Sequence, residues 1–358
     1  MRVCILGAGL SSLTLAKALV NQNIYVDIFV PKKTNYPDKS RTIGISKSNI
    51  QFFNSHITNI NKISWKLKKI EIYTDNLGKE KLINFENNST ELFSIINNLK
   101  LYKILENKLS KNKYFKRTSY LKNYNILKNY NLVINTDFNN QITKKYFSRK
   151  ILKEYNSIAY TTVIHHETIH NDVAVQIFTR AGPLAFLPIS ENETSVVYSL
   201  HKTTNKKNLN INGLIEKYNY KYKIRKINIT KSFELKSLNL RSYYYNNILA
   251  FGDLLHRIHP LAGQGFNMTI RDIKVITELI KNKISLGLSL DSSINREFEK
   301  TIRHKNFIFS NGIDLVHEIF NLERKTKNTI LSKYIQLLGK NPLANKMFTK
   351  IADTGIDL

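Results

Sequence analysis

The stretch Ile248 to Asp272, ILAFGDLLHRIHPLAGQGFNMTIRD, decides how the chain is read. Ile248 to Phe251 predicts a short buried strand ending in Gly252 and Asp253, which presents a carboxylate at the strand's carboxyl end. A loop rich in turn residues follows, carrying His256, His259, Pro260, Gly263 and Gly265. Phe266, Ile270, Ile273, Ile276 and Ile280 then recur at helical spacing. A helix that begins in glycines leaves its first amide N–H groups unpaired and lets an anion come close to the main chain. The stretch therefore reads as strand, binding loop and helix start, suited to a phosphate or a flat anionic ring.

The N-terminus has the same logic. Arg2 to Leu6 is a short apolar strand, Gly7, Ala8 and Gly9 a turn, Leu10 to Val20 a helix and Tyr25 to Val30 a second strand. This is the opening of a dinucleotide-binding βαβ unit. Its pattern is G-x-G-x-x-S, with Ser12 small enough for the helix to pack closely at the third position.

GDLLHRIHPLAGQGFN resembles the second FAD motif of the aromatic-ring flavin monooxygenases, and among them the branch that hydroxylates ubiquinone precursors, the UbiH/UbiF/VisC family. The resemblance implies that Gly7, Gly9 and Ser12 hold one half of FAD and that Asp253, Pro260, Gly263, Gln264, Gly265 and Asn267 hold the other. Asp253 would meet the ribityl chain, and the loop from Pro260 would lie beside the isoalloxazine ring. Arg41, in RTIGIS, is similar to the family's arginine-bearing strand near the flavin. Implied with the cofactor are NADH or NADPH as electron donor, a polyprenylated phenol and O2 as substrates, and other quinone-biosynthesis proteins as partners. The reaction implied is hydroxylation of the phenol's ring.

The fold implied is α/β and para-hydroxybenzoate-hydroxylase-like. Residues 1–150 and 248–290 form a discontinuous Rossmann-like FAD-binding domain, and 151–247 an inserted, mostly antiparallel substrate-domain sheet. Residues 291–358 form a C-terminal helical region. Four positions depart from the family pattern. Val30 replaces the acidic residue that accepts hydrogen bonds from the adenosine ribose, and Asp27 should point elsewhere. Phe138 and Gln141 replace a glycine and a serine after Asp137, in a region too short for the usual β-meander, so Asp137 is either a turn residue or a cofactor ligand. Thr269 stands where the family prefers glycine. These departures keep open a non-catalytic homologue that binds lipid or acts as a scaffold, and a flavin reductase on the same fold.

Composition narrows the alternatives. A chain of 358 residues with 42% hydrophobic content can bury a substantial core. No apolar run approaches the roughly 20 residues a membrane-spanning helix needs, and the N-terminus enters a strand at once, so a cytoplasmic location is expected. The net charge of +28 comes from lysines spread along the chain and has no nucleic-acid motif beside it, so no nucleic-acid partner is expected. Contact with the inner face of an anionic membrane requires only loosely placed lysines. Cys4 reads as a small buried residue in the first strand. His165, His166, His170, His256 and His259 have no metal-site spacing, so no metal is expected, although His256 and His259 could touch flavin or substrate.

Ser46 reads as the N-cap of a helix carrying Ile50, Phe52 and Phe53. Lys69 to Tyr73 reads as a strand, and Glu91 to Leu109 as an extended lead into a helix. Strands are predicted at Ile158 to Val163, Val173 to Phe178, Pro183 to Pro188 and Ser195 to Leu200. Two helices are predicted over Asn295 to Phe309 and Asn311 to Asn321, and a third over Thr329 to Leu338, each with an apolar face opposite lysines and arginines. Those faces pack on the main body or lie on lipid.

Overall fold

Val3, Cys4 and Ile5 are wholly buried at the centre of a parallel sheet. The computed structural model describes residues 1–32, 36–78, 80–86, 91–202, 210–259, 263–326 and 329–356. Its elements begin with β1 (Arg2–Leu6), α1 (Leu10–Val20), β2 (Tyr25–Phe29), β3 (Thr42–Ser46) and α2 (Lys47–Phe52). There follow β4 (Ser64–Leu67), β5 (Lys69–Thr74), β6 (Lys81–Glu86), β7 (Phe93–Asn97), α3 (Asn98–Ser110), β8 (Phe115–Thr118), β9 (Leu132–Asn135) and α4 (Gln141–Tyr146). The middle of the chain holds β10 (Lys150–His166), β11 (Val173–Thr179), β12 (Gly182–Pro188), β13 (Glu193–His201), α5 (Ile211–Tyr218), β14 (Ile224–Ile227) and β15 (Lys231–Leu240). The last elements are β16 (Tyr244–Tyr245), β17 (Ile248–Ala250), β18 (His256–Arg257), α6 (Gln264–Ser285), α7 (Ser292–Thr326), α8 (Thr329–Lys340) and α9 (Pro342–Thr354).

Among the described residues the strands form three sheets. In the first, ordered β16-β17-β9-β1-β2-β8, every pairing is parallel except β16 with β17. Helices α1, α3 and α6 supply Leu15, Leu105, Ile270, Ile273 and Ile280 to the core that covers it, as their helical spacing requires. Burial and the neighbouring Asp27 carboxylate push the Cys4 thiol up, which keeps it protonated and inert.

The second sheet runs β18-β15-β10-β13-β12-β11-β5-β6, with β14 also paired to β10. All four strands predicted between 158 and 200 lie in it. The expected boundary at 151 is crossed, because β5 pairs parallel with β11 and β6 continues the edge. The second sheet is therefore built from residues on both sides of that division. Ile70 and Ile72 of β5 alternate with Glu71, the pattern of a strand with one face on a core.

The C-terminal region differs from expectation in two respects. In place of two helices parted at Ser310, α7 runs unbroken for 35 residues, through Ser310 and Gly312. Its Ser310 is wholly buried, and the hydroxyl accepts a hydrogen bond from Asn239 of β15 at 2.9 Å. One interior glycine costs about 1 kcal/mol, which burial of Phe298, Ile302 and Phe309 on the same helix outweighs. Beyond α8, Pro342 opens a further helix, α9. The Asn341 side chain caps this helix, accepting from the amides of Leu343 and Ala344 at 2.9 and 3.2 Å. Ser46 does precede α2, but its hydroxyl donates to the Asp353 carbonyl at 2.9 Å instead of capping, which ties α9 to α2. No described helix is long and apolar enough to cross a membrane.

Candidate active site

The two glycine turns open onto one cleft of about 1510 Å3. Gly7, Gly9 and Ser12 line it at one end, Arg41, Asp253, Gly263, Gln264 and Gly265 along its length. Pro260 falls outside the described residues.

The first turn is fixed by close packing. Gly7 has φ +118°, and a Cβ there would sit 2.1 Å from the hydroxyl of Thr136, so only glycine fits. That hydroxyl lies 2.8 Å from the Ser12 Oγ, so Ser12 locks α1 against the end of β9. Gly9, the N-cap of α1, makes no side-chain cap, and nothing lies within 4 Å of where its Cβ would be. The first residues of α1, Leu10, Ser11 and Ser12, line the cleft at a helix start that no side chain caps, an arrangement that favours phosphate.

The second turn meets the first through Gly252, with φ +63° and its missing Cβ only 2.8 Å from Cβ of Ser11. This approach sets Asp253, which is exposed, on the cleft wall beside the Gly7 turn. Gly263, at φ +65° and ψ 21°, is the uncapped N-cap of α6, and a Cβ there would lie 3.3 Å from the amide nitrogen of Gly44 in β3. Asn267 holds that seam closed. Its Oδ1 accepts from the Ser46 amide at 3.0 Å and from Asn49 at 2.9 Å, while its Nδ2 donates to the carbonyls of Gly44 and Gly263 at 2.9 and 3.2 Å. It is wholly buried and does not line the cleft, and these bonds fasten β3 to α6.

Arg41 lies on the wall with its guanidinium 4.6 Å from the ring centroid of Phe233. Asp27 points away, as expected, paired with Arg2 at 2.8 Å and accepting from the Tyr130 hydroxyl at 2.5 Å. Asp137 lines the cleft while its Oδ1 accepts from the Asn139 amide at 2.9 Å, so it is a turn residue within reach of the site. Phe138 avoids positive φ, and Arg257 stacks over it at 4.6 Å.

Two polar wall residues, Asp38 and Asn98, carry no signal in the sequence, and a third, His256, joins them on the wall as its place in the loop suggested. Asp38 takes hydrogen bonds from the amide and hydroxyl of Ser40 at 2.8 and 2.7 Å, which hold its carboxyl below the usual range, helped by the charges of Lys231 and Arg41. Asn98 presents a buried Oδ1 with no hydrogen-bond partner among the described residues. His256 is buried on the wall, its Nε2 2.5 Å from the Asp272 Oδ2, with Nδ1 lacking a partner among the described residues. Only His256 carried a signal, its place inside the loop; Asp38 and Asn98 reach the cleft through tertiary packing. Among the described residues, no three metal-ligating side chains cluster.

The far arm of the cleft is apolar. Ile70, Ile72 and Phe178 of the second sheet face Val316 and Phe320 of α7 and Ile335 and Leu338 of α8. Phe178 and Phe320 stack with ring centroids 3.5 Å apart.

No protein-family model matches the chain. It is 30% identical over 157 residues to the 3-demethoxyubiquinol 3-hydroxylase of Escherichia coli, a match covering 42% of this chain and 40% of that one. It is 27% identical over 181 residues to the ubiquinone hydroxylase UbiL of Rhodospirillum rubrum, covering 47% and 41%. To the mitochondrial ubiquinone biosynthesis monooxygenase COQ6 of Schizosaccharomyces pombe it is 23% identical over 299 residues, covering 69% and 62%. The matches thus span less than two thirds of each relative's length. Among solved structures, p-nitrophenol 4-monooxygenase PnpA from Pseudomonas putida superposes with a TM-score of 0.80 at 11% identity, over 99% of this chain and 98% of that one. Klebsiella pneumoniae HpxO, solved with FAD and uric acid, superposes with a TM-score of 0.75 at 12% identity, over 99% and 97%. The chain shares the fold of these two proteins from end to end.

Proposed function

We propose that this chain, a homologue of the ubiquinone-biosynthesis hydroxylases, is an FAD-dependent monooxygenase that hydroxylates the ring of a polyprenylated phenol. One observation carries the reading: the Gly7 turn, the Gly263 turn and an apolar arm share a single cleft. The residues present fit FAD. The Gly9 amide end of α1 suits the pyrophosphate, Asp253 the ribityl hydroxyls, and the uncapped start of α6 the electron-rich edge of the ring. The ribose loses an acidic partner at Val30, which weakens binding by about 1.5–3 kcal/mol without removing the site.

FAD, when bound, supplies electron transfer from NADH or NADPH to O2, so that one oxygen atom enters the phenol ring and the other leaves as water. The chain's own residues have three tasks. Gly263 and Gly265 let α6 approach the ring closely, and the helix start stabilises negative charge there. Asn267 holds β3 and α6 at fixed spacing, so that the Arg41 segment and the Gly263 turn keep their places on the cleft wall. The apolar arm orients the tail and keeps water out. A tail of that kind places the working enzyme at the inner face of a membrane, beside other quinone-biosynthesis proteins.

The test is purification followed by spectroscopy. A yellow protein that takes up FAD, is bleached by NADH or NADPH and consumes O2 only with a prenylated phenol supports the reading. A colourless protein that refuses added FAD overturns it in favour of a scaffold, and O2 uptake indifferent to the phenol favours a reductase.

A further inference from the structure

We propose that the outward face of α8 and α9 rests on an anionic lipid bilayer, so that the apolar arm opens directly into it. This rests on the reading of a lipid-tailed substrate, but its evidence is separate. Tyr334 and Leu337 on α8 and Leu343 and Met347 on α9 are 61%, 66%, 80% and 59% exposed. They recur at three- and four-residue spacing, so each helix shows solvent an apolar stripe. Large apolar residues clustered on adjacent helices mark an interaction surface.

The opposite faces of the same helices wall the cleft, through Ile335, Gly339 and Ala352. Leu338 and Phe348 belong to both surfaces, lining the cleft while 41% and 43% exposed, and so form its mouth. Gly339 allows this thin wall, since even a Cβ there would come within 3.0 Å of Ile83 in β6. A membrane covering the outward face would therefore meet the apolar arm at this mouth, with α8 and α9 as a thin wall elsewhere.

Charge identifies the partner. Lys333, Lys340, Lys346 and Lys350 are exposed on these two helices, and none pairs with a carboxylate among the described residues. The only acidic side chain on them, Asp353, is turned inward to the Ser48 amide at 2.8 Å. Apolar side chains ringed by unpaired lysines match the acyl boundary and headgroups of an anionic leaflet. A second copy of this chain would set the same four lysines against their counterparts across a two-fold axis, which favours lipid over self-association.

The experiment is flotation of the purified chain with phosphatidylcholine vesicles, with and without phosphatidylglycerol, in the absence of substrate. The native chain should float with the anionic vesicles and much less with the neutral ones. Leu343→Ser with Met347→Ser should lower the partition coefficient about a hundredfold. Changing the four lysines to glutamine should abolish the preference for phosphatidylglycerol and its salt dependence. Both variants should keep native activity on a short-tailed, soluble phenol. Failure of the native chain to float, equal flotation of the double variant, or a dimer that the double variant dissolves would each overturn the proposal. None of these outcomes bears on FAD uptake, so the monooxygenase reading stands or falls separately.

Discussion

The two ends of the cleft are made in opposite ways. At the Gly7 end the main chain shapes the site: positive φ at Gly7, Gly252 and Gly263, two uncapped helix starts, and contacts that leave no room for a Cβ at the first two. At the other end side chains shape it, through the facing surfaces of the second sheet and of α7 and α8. A site made by backbone geometry tolerates no substitution at a few positions and almost any elsewhere, whereas a site made by packed side chains responds gradually to volume. The variants that test this difference should therefore hurt very unequally.

The largest effect belongs to Gly7→Val. The substitution combines unfavourable φ with a Cβ 2.1 Å from Thr136 Oγ1, which is already bonded to Ser12 and to the Leu6 carbonyl. We expect a loss of roughly 3–5 kcal/mol in urea denaturation and a colourless protein. Gly287 supplies the comparison, with φ +68° but nothing near its missing Cβ. Gly287→Val should cost only about 1–2 kcal/mol and leave FAD binding intact. Equal losses at the two positions would mean that conformation alone, and not the crowded turn, sets the cost.

The same contrast explains what could be read from the amino acids. The Gly7 and Gly263 turns, the strands flanking them and the apolar stripe of α6 are local patterns of a few residues, and each stands in the structure at its expected place. Asn267 sits inside such a pattern, yet its work is done with Ser46, Asn49 and Gly44, more than two hundred residues away in the chain. That partnership has no local signature. The apolar arm was hidden for the same reason, since β5, β11, α7 and α8 meet only after folding. Helix α7 passes through Gly312 because the sheet beneath it rewards continuity, a fact that local propensity does not contain.

Gly339→Leu probes the side-chain end and should have a smaller effect. A leucine there must displace Ile83, whose Cγ1 lies 3.0 Å from the position of the new Cβ. Overpacking of this kind costs about 1–3 kcal/mol, partly offset by about 1 kcal/mol of helix propensity. FAD content should be unchanged, while kcat/KM for a long-tailed phenol falls about tenfold relative to a short-tailed one. Parallel loss on both substrates would place the tail outside the arm between the sheet and α8.

The smallest expected effect lies at the seam between the two ends. His259 belongs by chain position to the loop before Gly263, but its ring packs between Tyr155 of β10 and His317 of α7, at centroid distances of 4.7 and 4.4 Å. It is 1% exposed, and neither ring nitrogen has a hydrogen-bond partner among the described residues. Burial first, then the charges of His317, His201 and Lys153, push its pKa down from 6.5 to about 3. A depressed histidine pKa means that below 6.5 the unfolded chain gains a proton the native fold refuses. Its contribution therefore destabilises the protein by about 1.4 kcal/mol for each pH unit below 6.5, down to about 3, and vanishes above 6.5. His259→Phe keeps an aromatic ring at the seam and removes the proton. Between about pH 7.5 and 5.5, the native chain should lose about 1.4 kcal/mol more stability in urea than the variant. A drop of the same size in both would show that the imidazole takes up its proton without leaving the fold, and that the seam is wetter than its packing implies.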